Sequence, residues 1–132
     1  DQSHLKVDVD IPQTLQPLWG DAEVIVRIFE NILNNALKFI PEEVGHIRIT
    51  ARQKGAWVEV VIFNNGPPIE PETYSRLFQK YSPGSTEKRG YGLGLAFCRL
   101  AVEAHGGKIW AENLEDGVAF FFTLPTIDQG DV

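Results

Sequence analysis

At 132 residues and 43% hydrophobic, with eight Phe and three Trp, the chain can bury one core without disulfides or metals but is short for two domains. A formal net charge of −6 argues against the basic stripe of a nucleic-acid binder and against attraction to an anionic membrane surface. The single cysteine, Cys98, cannot form an internal disulfide and fits a reducing, cytoplasmic setting, and no apolar run approaches the ~20 residues of a membrane span.

The start, Asp-Gln-Ser-His, lacks the basic and apolar regions of a signal peptide and reads as the abrupt beginning of an excised piece. Leu5, Val7 and Val9 alternate with Lys6, Asp8 and Asp10, which predicts a half-buried strand ended by Pro12. Residues 16–19 read as a second, short strand. Asp21 then supplies an N-cap for a helix over 22–40, whose apolar face carries Ile25, Ile28, Phe29, Ile32, Leu33, Ala36 and Phe39. Pro41 stops that helix. Strands follow over 45–53 and 57–63, joined at Lys54-Gly55, and the nearly unbroken apolar run of the second predicts a central position. Residues 64–68 form a turn cluster, and Pro71 opens a short helix over 71–78. Residues 81–91, polar and Gly-rich without period, read as a mobile loop. A second long helix runs over 93–105, with Leu95, Ala96, the Arg99 stem, Leu100 and Val102 toward the core and Cys98 a buried thiol, and Gly106-Gly107 ends it. Two strands over 108–112 and 118–124 meet at Asp116-Gly117, and about 126–132 form a polar tail.

Three features carry chemistry. Asn31, Asn34 and Asn35 weaken the middle of a long helix, because the Asn side chain competes for backbone hydrogen bonds. Asn31 and Asn35 share one face, with Lys38 a turn beyond, so the segment is either an Asn-rich polar face or an oxygen set suited to phosphate-held Mg²⁺. Gly90-Tyr-Gly-Leu-Gly-Leu95 opens a helix, where glycines admit close backbone approach and free N–H groups favour an anion; a flexible helix entry is the lesser alternative. It is neither a dinucleotide fingerprint, since G-x-G-x-x-G is absent, nor a P-loop, since Lys-Ser/Thr does not follow. Phe63-Asn-Asn-Gly-Pro-Pro-Ile69 follows a buried strand and by itself reads as an ordinary turn.

In this order the three segments resemble the ATPase-kinase superfamily of histidine kinases, DNA gyrase, heat-shock chaperones and MutL-type repair ATPases, and the match is best to the histidine-kinase catalytic domain, from about Leu5 to Pro125. Residues 29–41 resemble its N box, 64–69 its first glycine box, 77–81 its F box and 90–95 its second glycine box; Val102-Glu-Ala-His-Gly-Gly-Lys-Ile109 resembles its helix-to-strand junction. The resemblance implies an α+β fold, a two-layer α/β sandwich in which a mixed, mainly antiparallel sheet of about five strands packs on three helices, with residues 1–132 as one domain. It implies Mg-ATP as ligand. Asn35 would coordinate Mg²⁺ with Asn31 as its supporting partner, and Lys38 would contact phosphate. Phe39 would lie beside the adenine, Asn64 would accept from the adenine amino group, and Gly66 and Ile69 would contact the nucleotide. Gly90, Gly92 and Gly94 would form the lid hinge and phosphate-facing backbone, Lys88 and Leu93 would also contact the nucleotide, and Phe78 and Tyr81 would anchor the lid.

The γ-phosphate would go to a histidine on a separate upstream helical dimerisation domain, and from there to a response-regulator receiver domain. No residue of His4, His46 and His105 suits that acceptor role, His105 matching a structural helix end. Hydrolytic members of the superfamily carry a glutamate one turn before the Mg-binding Asn; here that position is Asn31, which takes no proton at neutral pH. Asn64 replaces the usual Asp, Pro68 the second glycine of its box, and Pro83 a lid arginine whose charge Lys80, Lys88 or Arg89 either supplies or merely carries as a solvated basic loop. A degenerate docking module and an anti-sigma-type serine kinase share the fold and stay open as alternatives.

Overall fold

The computed structural model describes residues 4–41, 43–79 and 93–127. Its strands are β1 (His4–Asp10), β2 (Val44–Lys54), β3 (Trp57–Asn65), β4 (Ile109–Asn113) and β5 (Gly117–Pro125), and its helices are α1 (Ala22–Phe39), α2 (Pro71–Tyr74) and α3 (Leu93–Ala104). One sheet runs in the order β1-β2-β3-β5-β4, with β1 parallel to β2 and every other pair antiparallel. The fold is the α+β two-layer sandwich implied above.

Directly paired residues share a face of a sheet. The register therefore aligns Ile49, Ile62 and Phe120 in one row, and Ala51, Val60 and Phe122 in the next. These rows meet Ile28 and Ile32 of α1 and Leu95, Cys98 and Val102 of α3 in one core. Helix α1 packs over β3, α3 over β4 and β5, and the two helices pack on each other. β3 is central, as its apolar run predicts. Its Glu59 is nonetheless buried, and Arg52 (3.2 Å) and Lys54 (2.9 Å) neutralise it.

The Asp21 carboxylate accepts from the Val24 N–H at 3.1 Å, confirming the predicted cap of α1. Four expectations need correction. β1 is not half-buried: Leu5, Val7 and Val9 are 47, 52 and 60% exposed, because neither long helix lies over them. Residues 16–19 make only an isolated bridge, Leu18 to Thr126. The helix that opens at Pro71 ends at Tyr74 and continues as single turns to Gln79. On α3 the core side is Leu95, Ala96, Cys98, Ala101 and Val102, whereas Leu100 is 71% exposed. The chain end is also tied down further than expected. Thr126 is buried and its backbone N–H and hydroxyl both donate to the Ala56 carbonyl, while Ile127 donates to Pro17; residues 128–132 lie outside the described ones.

Candidate functional site

Three pieces of chain meet at the C-terminal half of α1. The first is α1 itself. Asn35 is buried, Asn31 is half-buried one turn earlier, and Lys38 is exposed one turn later on the same side. Asn31 lies on the flank of α1 that faces α3, as does Arg27, whose guanidinium lies 4.1 Å from the Phe97 ring centre.

The second piece is the end of β3. Asn64 is buried, and its pairing with Ile47 and Val118 turns it to the helix side of the sheet. Its amide nitrogen donates to the Asn65 carbonyl at 2.9 Å, which leaves the carbonyl oxygen as the atom able to accept from a ligand. Gly66 follows with φ 136°, a conformation that disfavours any side chain, and a Cβ there would sit 2.6 Å from the Phe39 carbonyl oxygen. The turn thus lies directly on the end of α1, and a glycine is what permits it. Ile69 is buried beyond it.

The third piece is the start of α3. A Cβ on Gly94 would stand 3.1 Å from Asn31 Oδ1 and 3.3 Å from its Cγ, so the helix entry passes against the Asn31 amide. One turn on, the Cys98 thiol is fully buried and donates to the Ile28 carbonyl at 3.6 Å. Burial pushes this thiol up to about 12, against the smaller opposing influences of a hydrogen bond with Asn31 and the Arg27 charge. It is an inert packing thiol, as expected from its place in the apolar pattern.

The fold therefore brings together Asn31, Asn35, Phe39, Asn64, Gly66, Ile69 and Gly94, with Lys38 at the margin. Phe78 packs edge-on against Phe120, ring centres 6.1 Å apart, and so anchors the segment that leads out of α2. Leu93 is the first residue of α3. Lys80, Tyr81, Pro83, Lys88, Arg89, Gly90, Gly92 and the Leu93 side chain lie outside the described residues.

Two positioning residues escaped the sequence reading. Asn65 accepts from the His46 N–H at 2.8 Å and donates to the Val44 carbonyl at 3.0 Å, which pins the end of β3 to the start of β2. Asn113 grips both backbone groups of Ile69, accepting from its N–H at 2.8 Å and donating to its carbonyl at 3.0 Å. An asparagine at a strand end was the available signal in each case, but their partners are 19 to 44 residues away in sequence.

Among the described residues no group of three or more His, Cys, Asp or Glu could hold a metal ion. The donors present are neutral amide oxygens and one ammonium, a set that suits a hard cation already carrying phosphate oxygens and does not suit zinc. A concavity lined by Leu18, Trp19, Asp21, His105 and Ile127 lies at the opposite end of α1. There His105 bonds through Nδ1 to the Ala101 carbonyl (2.8 Å) and through Nε2 to the Asp21 N–H (3.2 Å), tying the end of α3 to the start of α1.

Residues 20–128 match the family described as histidine kinase-, DNA gyrase B- and HSP90-like ATPase. The chain is 39% identical over 128 residues to the adaptive-response sensory kinase SasA of Gloeothece citriformis, an overlap of 94% of this chain and 32% of that protein. It is 34% identical to the solved catalytic domain of histidine kinase ThkA, with a TM-score of 0.81 and coverage of 92% of this chain and 79% of that one. The structure of ThkA in complex with the response regulator TrrA is also similar, at 32% identity and a TM-score of 0.71, over 91% of this chain and 34% of that one. The chain spans about a third of the length of the curated relatives it matches.

Proposed function

The chain belongs to the family of histidine kinase-, DNA gyrase B- and HSP90-like ATPases, as a catalytic domain of the histidine-kinase kind, and from that premise we propose that it holds Mg-ATP against α1 for phosphoryl transfer to a histidine on a separate helical dimerisation domain. Nucleotide binding follows from the family; the metal, the acceptor and the residue roles are our reading. Bound ATP would supply the γ-phosphoryl group. The chain's own residues bind and orient it, which is the larger part of catalysis for phosphoryl transfer.

The observation that carries this reading is the meeting of the Asn31–Asn35–Lys38 flank with the Asn64–Gly66 turn and the Gly94 helix entry. Asn35 offers a neutral oxygen suited to Mg²⁺ held chiefly by phosphates. Lys38 offers a point charge to phosphate, and the opening turn of α3 offers backbone N–H groups. Asn64 presents its carbonyl oxygen to an adenine amino group, while Gly66, Ile69 and Phe39 border the base. Asn31 cannot accept a proton from water, so the site holds ATP for an external nucleophile and hydrolyses it poorly.

That nucleophile is supplied from outside the described residues. His46 Nε2 is engaged with Asp8 at 2.9 Å, both ring nitrogens of His105 are bonded, and His4 opens β1 at the sheet edge. A receiver domain as the next acceptor is proposed from the ThkA–TrrA assembly, and a cytoplasmic setting from the free, buried Cys98. One observation favours a second reading, a docking module that binds nucleotide weakly: Asn64 brings no charge to the adenine contact.

Replacing Asn35 with Ala tests the metal assignment. Circular dichroism should be unchanged, and affinity for ATP in Mg²⁺ should fall at least about tenfold, or ~1.4 kcal/mol. Undiminished binding in Mg²⁺ would remove Asn35 from the metal.

A further inference from the structure

Asn113 is the last residue of β4 and pairs with Val118 of β5, which in turn pairs with Asn64 of β3. Asn64, Val118 and Asn113 therefore form one row across three strands, on the helix side of the sheet, with the buried Val118 between the two amides. Two strand spacings, about 10 Å, separate the backbones of Asn64 and Asn113 along that row. The Asn113 amide meets one residue twice: its oxygen accepts from the Ile69 N–H at 2.8 Å, and its nitrogen donates to the Ile69 carbonyl at 3.0 Å. Ile69 is buried and lies outside every helix and strand, between the Gly66 turn and α2, so the amide stands where a neighbouring strand would otherwise serve. A carboxylate at 113 could not donate, and an apolar side chain could do neither. Asn113 itself is exposed and takes no part in the core, so its side chain contributes these two bonds rather than packing. The same segment has a second tie two residues back along β4, where the Tyr74 hydroxyl donates to the Ala111 carbonyl.

We infer that Asn113 is a positioning residue for the nucleotide base: it holds Ile69 against the base, at a separation from Asn64 that the sheet register fixes. The inference rests on the nucleotide reading of the site and adds to it a residue that acts through Ile69. Asn64 and Ile69 approach the base from the two sides of the Gly66 turn, yet both are held from the same row of the sheet. Loss of the Asn113 amide leaves both backbone groups of Ile69 without a partner inside the protein. They regain partners only by turning toward water, and that turn carries the Ile69 side chain off the base. The effect falls on the base, which ATP and ADP share, and not on the metal-bridged phosphates at Asn35. Binding free energies couple reciprocally, so the factor by which the clamp strengthens nucleotide binding is also the factor by which bound nucleotide stabilises the clamp.

Calorimetric titration of the chain and of its Asn113→Ala variant with ATP and with ADP, each with and without Mg²⁺, tests this. The variant should bind both nucleotides at least about fivefold more weakly, by the same factor for each, with the gain from Mg²⁺ unchanged. Tyr74→Phe removes the other tie of the segment to β4 and serves as the control. It should lower the unfolding temperature and leave both affinities where they are. The parent alone gives a measurement that needs no variant to fold: ADP should slow hydrogen exchange at the Ile69 amide at least about fivefold. A parent that binds no nucleotide overturns the reading of the site and this inference with it. A parent that binds, beside an Asn113→Ala variant that binds equally well, overturns this inference alone. So does a loss confined to ATP in Mg²⁺, an equal loss in Tyr74→Phe, or an Ile69 amide indifferent to ADP.

Discussion

Asn64 shows how much one atom decides. Its nitrogen is spent on the Asn65 carbonyl, and its oxygen is left as the atom able to accept, the one we propose meets the adenine. An aspartate there would strengthen the ligand contact, since hydrogen bonds to charged groups are worth about 1 kcal/mol more than neutral ones. It would also lose the donor and set a carboxylate against a carbonyl in a buried place. Asn64→Asp should therefore tighten ATP binding about fivefold while lowering stability by about 1–3 kcal/mol. Calorimetry and thermal unfolding read the two effects separately, and a variant changed in neither would contradict the role given to this side chain. At this scale the sequence was legible where residue type restricts the backbone, as at Gly66, and where spacing sets a shared side, as at Asn31 and Asn35. It was opaque where the partner is distant. His105 reads as a helix end that welcomes a cation, yet in the fold one ring nitrogen accepts from Asp21, 84 residues away, as a neutral imidazole does.

At the scale of elements, the seam between α1 and α3 borders the candidate site, and its buried thiol gives it a pH signature. The Cys98 thiol is held protonated to about 12 in the folded chain, against 9.0 for an unburied thiol. The folded value is the higher one, so its contribution to stability is complete below 9.0 and is lost as pH climbs from 9.0 toward 12. Urea unfolding of the parent and of Cys98→Ala, on both sides of pH 9.0, should give a stability difference that shrinks by about 1.4 kcal/mol per pH unit above that point. A difference independent of pH would mean that the thiol is not buried in the seam. Both helices were readable from their apolar period, α1 with its cap at Asp21 and its stop at Pro41. The exposure of Leu100 and of the β1 face was not readable. Alternation says which residues share a face, and only the assembled fold says whether an element lies on it. The turns after Tyr74 escaped for a related reason, since a Pro-led start does not specify how far a short helix runs.

Across the whole molecule, one five-stranded sheet carries two long helices, and Asn31, Asn35 and the turn after β3 lie beside the apolar core that joins them. The order of the Asn-rich helix, the Asn-x-Gly turn and the glycine-rich helix entry was already visible along the chain. What the fold adds is their contact: the turn rests on the Phe39 carbonyl, and Gly94 rests on Asn31. The measurement that bears most directly on this arrangement is calorimetric titration of the chain with ATP, with and without Mg²⁺. One ATP should bind per chain, distinctly more tightly when Mg²⁺ is present. No binding at millimolar ATP, or binding indifferent to Mg²⁺, would contradict the proposal that an asparagine oxygen of α1 meets a metal-bridged triphosphate.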